Sequence, residues 1–337
     1  MPVFENFPYT NFHELNLDWI LKKIKSLETE AIDPGVKGAR IKNHRRYYID
    51  GVNGKDTNPG TSGEPFKTVD RFLELSDKYS ELRCYIVKAG TYKITKGDNF
   101  SDINIHITAL DANVILDLCP TSTDPEVSGY MCKWNLQGKS NAEKMVITGH
   151  DVHGNLLQDF YFDNSGINFT NCDIQIHFKL FGGAVAFSGC TVKRITINDG
   201  MFTFNNGTVI ANTDPDIVPL SFINSVGRLY GAWSGEELTA PGTAACIYTW
   251  NTFLFIGSVI VPNLTNKYLY GIQAVLGGMI TCTESRIDAM ASRAGSGNDI
   301  AYDSVPVVTD HGTRAAESTR YNSGQLQYWN GSAWTNV

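Results

Sequence analysis

The sequence has no long uninterrupted apolar run. Its most apolar stretch, residues 246–262, is broken by Thr249, Asn251 and Thr252, and it is too short and too strand-like to cross a bilayer. The opening letters, MPVFENFPYT, have no basic segment followed by an apolar one, so no secretory signal is expected. These features predict a protein that is not inserted in a membrane.

The sequence also has few clusters of basic residues. Its net charge is −7, and basic side chains gather only at residues 22–25 and 44–46, which argues against a nucleic-acid partner. No Cys and His spacing is typical of a zinc site, so neither a metal nor a cofactor is expected. The seven cysteines are an odd number, which favours buried thiols over a disulfide framework.

The chain does contain an internal repeat, in which an aromatic residue is followed by a turn-former and a small residue. The first four copies begin 18, 17 and 18 residues apart. Two further copies follow at wider intervals. The small position holds only Cys, Gly or Ser. The six copies begin at Phe169, Phe187, Phe204, Phe222, Phe255 and Met279.

A repeat of this length, with period-two alternation inside each copy, predicts an all-β fold in which successive turns of chain stack on one another. We expect a right-handed parallel β-helix (solenoid), with Phe169, Phe187, Phe204 and Phe222 in one interior column and Asn or Gly at the bends. The alternative is a β-sandwich in which the similarity between copies arises by chance.

The N-terminal segment predicts an amphipathic helix from Asn11 to about Ala31, with Glu14 placed to complete a capping box. Its apolar residues recur at intervals of three and four, which is a short heptad seam. We expect an anchor that contacts two other chains or a partner protein; the alternative is a helix docked on its own domain. The anchor residues are Leu17, Ile20, Ile24 and Leu27.

The segment that begins YYIDGVNGKDTNPGTSGEPFKTVDRF, from Tyr47, resembles the entrance of right-handed parallel β-helix proteins of the pectate-lyase-like superfamily. In those proteins a similar loop precedes a helix that caps the open end of the solenoid. The resemblance implies a capping helix here, from about Pro65 to Tyr79. An uncapped first turn would leave strand edges free to pair with other chains.

The last segment, from His311, resembles a short terminal module of bacteriophage tail proteins, through Gly312, Thr313 and the run Tyr328-Trp329-Asn330-Gly331. It lacks the Arg-Pro pair of that module. The opening helix is similar to a virion-attachment helix. Together these resemblances imply a phage tail spike or receptor-binding protein, homotrimeric, made in the host cytoplasm and carried on the virion, with an N-terminal attachment region (1–46), a capped β-helix (47–304) and a small C-terminal β module (305–337).

Three functions follow from this interpretation. The first is a spike that binds a host cell-surface glycan without cleaving it, attached to other virion proteins through its N-terminal helix. The second is a polysaccharide depolymerase, either a glycoside hydrolase or a lyase. The third is a purely structural capsid or collar fibre. Carboxylates on predicted loops include Asp151, Asp159, Asp163 and Asp199, but the preferred catalytic candidates are Asp214, Asp216, Glu236 and Glu237.

The working surface is predicted on the loops 212–219 and 232–250, because they interrupt the repeat spacing and are not needed by the stack itself. Aromatic faces beside carboxylates suit sugars, which stack their C–H faces on rings. The glycan-binding candidates are therefore Trp233, Tyr248 and Trp250. The alternative for Tyr248 and Trp250 is an ordinary strand with both rings in the core.

Overall fold

The computed structural model describes the chain from residue 41 onward. Within that range it omits 78, 96–98, 120–130, 152, 158, 206, 208, 232–233, 258–259, 262–265, 267, 284–285, 288, 295–298, 303–318, 323–324, 330–333 and 337. The described residues are almost entirely β-structure. None of the helices they contain is long and apolar enough to cross a membrane.

In the described part of the chain there are 24 strands and one short α-helix with a 3₁₀ turn after it. The helix α1 spans Val69–Leu73, with the 3₁₀ turn at Glu74–Asp77. The first strands are β1 (Ile41–Ile49), β2 (Tyr79–Ile86), β3 (Gly90–Ile94), β4 (Asn99–Ala109), β5 (Val114–Leu118), β6 (Met131–Gln137), β7 (Met145–Gly149), β8 (Asp159–Thr170), β9 (Cys172–Ser188), β10 (Thr191–Asn198), β11 (Met201–Phe204) and β12 (Val209–Ile210). The remaining strands are β13 (Leu220–Ile223), β14 (Val226–Tyr230), β15 (Ser234–Gly235), β16 (Ala245–Gly257), β17 (Ile260–Val261), β18 (Tyr268–Thr283), β19 (Arg286–Ile287), β20 (Ala289–Ala294), β21 (Asp299–Tyr302), β22 (Thr319–Asn322), β23 (Gln325–Trp329) and β24 (Trp334–Asn336).

Nineteen of these strands belong to one sheet in which every pairing is parallel. One ladder runs through β2, β4, β6, β8, β9, β10, β13, β16 and β18. A second runs through β3, β5, β7, β9, β10, β12 and β15. A third runs through β9, β11, β14 and β16. Side chains alternate along each strand, so one face of the wall encloses a single apolar core.

The strand pairings close on themselves, because the long strands β9 and β16 each take part in more than one ladder. Following the paired strands in the order β9, β10, β13, β16, β14 and β11 leads back to β9, so these six parallel strands form a ring. The structure is therefore a closed parallel barrel with further strands added, and this corrects the predicted pectate-lyase-like β-helix. The prediction treated each repeat as a separate turn with its own short strands and missed that β9 and β16 continue through the bends.

The predicted helices also need correction. No N-terminal anchor helix stands among the described residues, because Leu17, Ile20, Ile24 and Leu27 lie outside them. The predicted cap from Pro65 to Tyr79 is reduced to α1 and its 3₁₀ turn, with the Thr68 hydroxyl accepting from the Arg71 N–H as the N-cap. Val69 and Phe72 bury one side of this helix in the core. At the C-terminal end, β22, β23 and β24 form a separate antiparallel sheet.

The predicted column of phenylalanines is present for three of its four members. Phe169 pairs with Phe187, and Phe187 with Phe204. Their rings stack at centroid distances of 5.2 and 4.5 Å. Phe222 lies in a different ladder, opposite Ile197, and stacks at 3.9 Å on Phe202 instead. The fifth copy of the repeat does not place its aromatic residue in the core, because the Phe255 side chain is 42% exposed and points outward.

The bends between ladders explain the turn-former and the small residue of the repeat. Asn171, Asn224 and Asn251 have positive φ angles between 45° and 51°, a region that Asn tolerates better than most residues. The Asn251 side chain donates to the Asn224 side-chain oxygen at 3.1 Å. After each bend a small side chain turns inward and donates to backbone carbonyls, as Cys190 does to Phe169 and Ser188 at 3.4 Å. The small side chains therefore provide hydrogen bonds to backbone carbonyl groups at the bends.

Candidate functional site

A row of polar side chains crosses the outer face of the barrel wall at the beginning of β8 to β10. In a parallel ladder, paired residues lie side by side with strands about 4.8 Å apart. Asp159 pairs with His177, and His177 pairs with Arg194. The next outward position holds Tyr161, Lys179 and Thr196 in the same three strands. Six residues far apart in sequence thus form one compact polar cluster.

His177 is the centre of this cluster and is hydrogen-bonded through both ring nitrogens. Its Nδ1 contacts the Asp159 carboxylate, and its Nε2 lies 2.9 Å from the Thr196 hydroxyl. Lys179 donates to the other carboxylate oxygen of Asp159 at 2.8 Å and to the Tyr161 hydroxyl at 3.1 Å. The order Asp159, His177, Thr196 places a carboxylate, an imidazole and a hydroxyl in one hydrogen-bonded chain.

The electrostatics of the cluster determine its protonation state. Burial and the charge of Arg194 lower the pKa of His177 to about 4, so the imidazole is neutral at pH 7. Burial alone would raise the pKa of Asp159, but Lys179 and His177 outweigh it and the net shift is downward. An ionised Asp159 only accepts hydrogen bonds, so Nδ1 of His177 carries the proton. Nε2 therefore has the free lone pair and accepts from Thr196.

Beside this cluster lies a cavity of about 370 Å³. His177 and Asp159 form part of its wall, and Lys193 and Arg194 supply positive charge. These two consecutive basic residues both face outward because the pairing of β10 with β9 shifts register between Val192 and Arg194. The apolar side of the cavity is formed by Leu156, Leu157 and Ile217. The cavity thus combines a neutral imidazole, an ionised carboxylate and two cations.

Arg194 has one donor atom without a partner. Its Nε is buried and has no hydrogen-bond partner among the described residues. A buried donor without a partner costs about 1–3 kcal/mol, so this atom reduces stability locally.

Two of the predicted glycan-binding residues lie on the same outer face. Tyr248 and Trp250 are on β16, two strands along the ladder from Thr196 and Asn198, with Ser221 and Ile223 of β13 between them. Trp250 is 38% exposed, whereas Thr249, which lies between Tyr248 and Trp250 in the strand, is buried. The predicted loop is therefore a strand at this point, and its aromatic rings face outward rather than into the core.

The predicted catalytic acids are placed in loops, outside the His177 cluster. Asp214 accepts from the Asp216 backbone N–H at 2.9 Å, which closes a turn, and Asp216 accepts from the Thr243 hydroxyl. Glu237 accepts from the backbone N–H of Asn266, and Glu236 is exposed. Asn212 and Ile217 bring the loop 212–219 to the edge of the cavity. Trp233 lies outside the described residues.

Sequence reasoning missed His177, Lys179, Thr196 and Arg194, and named Asp159 only as one carboxylate among several. A signal for them existed in the repeat itself. Asp159 and His177 are 18 residues apart, and Arg194 follows 17 residues later, which are the spacings of the phenylalanine repeat. Polar residues that recur at the period of the core mark the outward face of neighbouring strands.

A second and larger depression, of about 640 Å³, lies on another outer face. Its wall includes the hydrogen-bonded pair Asn135 and Asn168, with Met201 and Val226 exposed beside them. Among the described residues, Lys133 and Arg228 are its only ionisable lining residues, so this part of the wall offers no carboxylate and no imidazole. The smaller cavity is therefore the better candidate for a catalytic site, because its wall includes His177 and Asp159. Among the described residues there is no group of three or more His, Cys, Asp or Glu side chains that could hold a metal ion.

Comparisons with known proteins give little beyond this geometry. No known protein family and no curated protein matches the sequence. Among solved structures, the chain is similar to the GH136 lacto-N-biosidase from Eubacterium ramulus, with 11% sequence identity and a TM-score of 0.34. The similarity covers 90% of this chain and 71% of the other. At this TM-score the likeness carries no argument about activity.

These comparisons correct the bacteriophage interpretation. No phage protein is found by any of them, so a tail spike, a receptor-binding protein and a capsid or collar fibre all lack support. The predicted homotrimer and the predicted virion location stay predictions.

Proposed function

We propose that this protein is an enzyme that cleaves a polysaccharide at the cavity beside His177. The observation that carries the proposal is the hydrogen-bonded chain Asp159–His177–Thr196, set in a cavity wall with Lys193 and Arg194. A neutral imidazole held in one tautomer by a carboxylate is a prepared proton acceptor.

The surroundings of the cavity support a glycan as the substrate. The cavity lies on the outer face of the wall, and its lining includes the polar side chains of Gln175 and Asn212. Tyr248 and Trp250 lie on the same face, two strands from the cluster. Aromatic rings offer sugar rings a flat apolar surface, while the polar cluster meets their hydroxyl groups.

The proposal is tested with a panel of purified polysaccharides, by measuring the release of new reducing ends. His177→Asn removes the proton acceptor, and we expect the rate to fall by about 10²- to 10⁴-fold, as for other losses of general-base catalysis. The matched control is His153→Asn, because His153 is exposed in a turn and away from the cavity. It should retain full activity.

The melting temperature of each variant shows whether it is folded. If His177→Asn does not fold, Arg194→Gln provides the same test on the neighbouring strand of the cavity wall. Equal rates for the parent protein, His177→Asn and Arg194→Gln would contradict the proposed site. Absence of new reducing ends from every polysaccharide would contradict the proposed activity.

A further inference from the structure

We propose that the larger depression on the outer face of the wall binds the N-terminal segment of the same chain, residues 1–21. This inference is independent of the proposed function. It rests on the exposed apolar side chains beside the depression, on the charges of its lining, and on the strand at which the N-terminal segment joins the described part of the chain.

Small side chains form the floor of this depression. Gly166, Ala184 and Ala186 occupy neighbouring outward positions on β8 and β9, with Gly166 paired to Ala184. Larger side chains stand on the strands at either side, Lys133 on β6 and Met201 on β11. The result is a concavity of about 640 Å³, into which side chains of a bound segment can insert.

Apolar side chains continue from the depression across the wall. Met201, Val226 and Phe253 are paired in register on the adjacent strands β11, β14 and β16. They are 61%, 54% and 53% exposed. Phe255, at the next outward position of β16, is exposed as well. Contiguous exposed apolar side chains of this kind mark an interaction surface.

The charges of the lining select the occupant. Lys133 on β6 and Arg228 on β14 flank the floor, and no carboxylate lines the depression among the described residues. Two copies of this face brought together would place cations against cations, which is unfavourable. The occupant that fits therefore carries carboxylates among apolar side chains.

Residues 1–21, MPVFENFPYTNFHELNLDWIL, have this composition. They contain three acidic residues and no Lys or Arg, since the first basic residue of either type is Lys22. Aromatic side chains supply a large apolar area for each residue ordered. The acidic residues are Glu5, Glu14 and Asp18, and the aromatic residues are Phe4, Phe7, Tyr9, Phe12 and Trp19.

The N-terminal segment joins the ladder that carries the depression. The pairings run from β1 through β2, β4, β6, β8 and β9 to β11, which is six strand spacings. At about 4.8 Å each, they amount to about 29 Å. The 19 residues 22–40 span up to about 60 Å when extended. The connection is therefore long enough for residues 1–21 to reach any part of the depression.

Carbodiimide cross-linking of the full chain tests the contact, because it joins a lysine to a carboxylate only where the two touch. Mass spectrometry should find Lys133 joined to Glu5, Glu14 or Asp18 in the fraction that has the mass of one chain. Lys193 is the control, since it is exposed at the other cavity and should not be joined to them.

The two fractions of this experiment identify the occupant. Cross-links to Lys133 found only in the fraction with the mass of two chains would overturn docking within one chain and assign the depression to a second copy. Absence of these cross-links from both fractions would overturn the proposal.

Limited digestion with chymotrypsin, which cleaves after aromatic residues, tests the apolar surface. Met201→Asp should make cleavage within residues 1–21 about 10-fold faster, because cleavage of a segment that opens rapidly follows the population of the open form. Leu110→Asp is the matched control, since Leu110 is also exposed but does not line the depression. Equal cleavage rates in the parent protein and both variants would overturn the proposal.

Reversing charges tests the pairing without disturbing the apolar surface. Lys133→Glu combined with Arg228→Glu should also accelerate cleavage within residues 1–21. Adding Glu5→Lys, Glu14→Lys and Asp18→Lys should restore the slow rate of the parent protein. A variant that carries all five changes and is still cleaved rapidly would overturn the charge pairing, and melting temperatures show that each variant is folded.

Discussion

Arg194 lies directly opposite His177 in the parallel pairing of β10 with β9. Burial lowers the pKa of the His177 imidazole, and the permanent positive charge of Arg194 beside it lowers that pKa further. The arrangement costs stability whenever His177 must be charged. It therefore affects both the pH dependence of folding and the proposed chemistry.

The pH dependence of activity should depend on Arg194. The acid limb of kcat/KM reports groups in the free enzyme. In the free enzyme the pKa of His177 is about 4, because of burial and the charge of Arg194. Arg194→Gln removes that charge, so the acid limb of its kcat/KM should lie at higher pH than that of the parent protein. Coinciding acid limbs in the two proteins would contradict His177 as the proton acceptor.

The stability of the protein should fall in mildly acidic solution. Because the folded-state pKa of His177 is about 4 and the unfolded value is 6.5, the unfolded chain binds more protons between these two pH values. The stability is fully present above pH 6.5 and is lost as pH falls towards 4. The loss is at most about 3 kcal/mol, at 1.36 kcal/mol per pKa unit.

Urea unfolding of the parent and of His177→Asn, at several pH values, checks this dependence. The variant should show a smaller loss over the same range. His106, which is partly buried beside Arg83, also has a lowered pKa and adds to the slope in both proteins. A His106→Asn variant separates its share. An identical slope with and without His177 would contradict the prediction.

The core column gives a prediction about stability alone. Phe187 is fully buried, stacked between Phe169 and Phe204, with its ring edge-on to Phe178 at 5.8 Å. Phe187→Ala should lower the free energy of unfolding by about 3–5 kcal/mol, as other buried phenylalanine truncations do. Phe255→Ala is the control, because this ring is exposed and should change stability by less than about 0.5 kcal/mol. Equal losses in denaturant unfolding would show that the column is not a packed core.

Trp250 gives a prediction about binding alone. It is partly exposed and lies on the face of the His177 cluster, while Phe255, on the same strand, belongs to the ladder that leads away from it. Trp250→Ala should weaken polysaccharide binding by about 3- to 10-fold, roughly 1 kcal/mol, with little change in melting temperature. Phe255→Ala should leave the affinity unchanged. Isothermal titration in a His177→Asn background, which slows cleavage during the measurement, measures both affinities. Unaltered affinity in Trp250→Ala would place the glycan path elsewhere.

The sequence by itself determined the all-β character, the repeat spacing and the inward position of Phe169, Phe187 and Phe204. These properties depend on local alternation and on equal lengths of chain between neighbouring strands, and both can be read along one dimension. The Asn and small residues at the bends were determined in the same way, because only certain side chains tolerate positive φ angles.

Only the tertiary structure decided how the ladders join and which polar side chains meet. The continuation of β9 and β16 through the bends, which closes the ring of strands, depends on packing that no local pattern specifies. The register shift before Arg194 depends on the pairing with the neighbouring strand. Because of this shift, Lys193 and Arg194 both face the same cavity. His177, Asp159 and Thr196 are unremarkable in sequence and become a site only where three strands lie side by side, since hydrogen bonds act over about 3 Å of space regardless of separation along the chain.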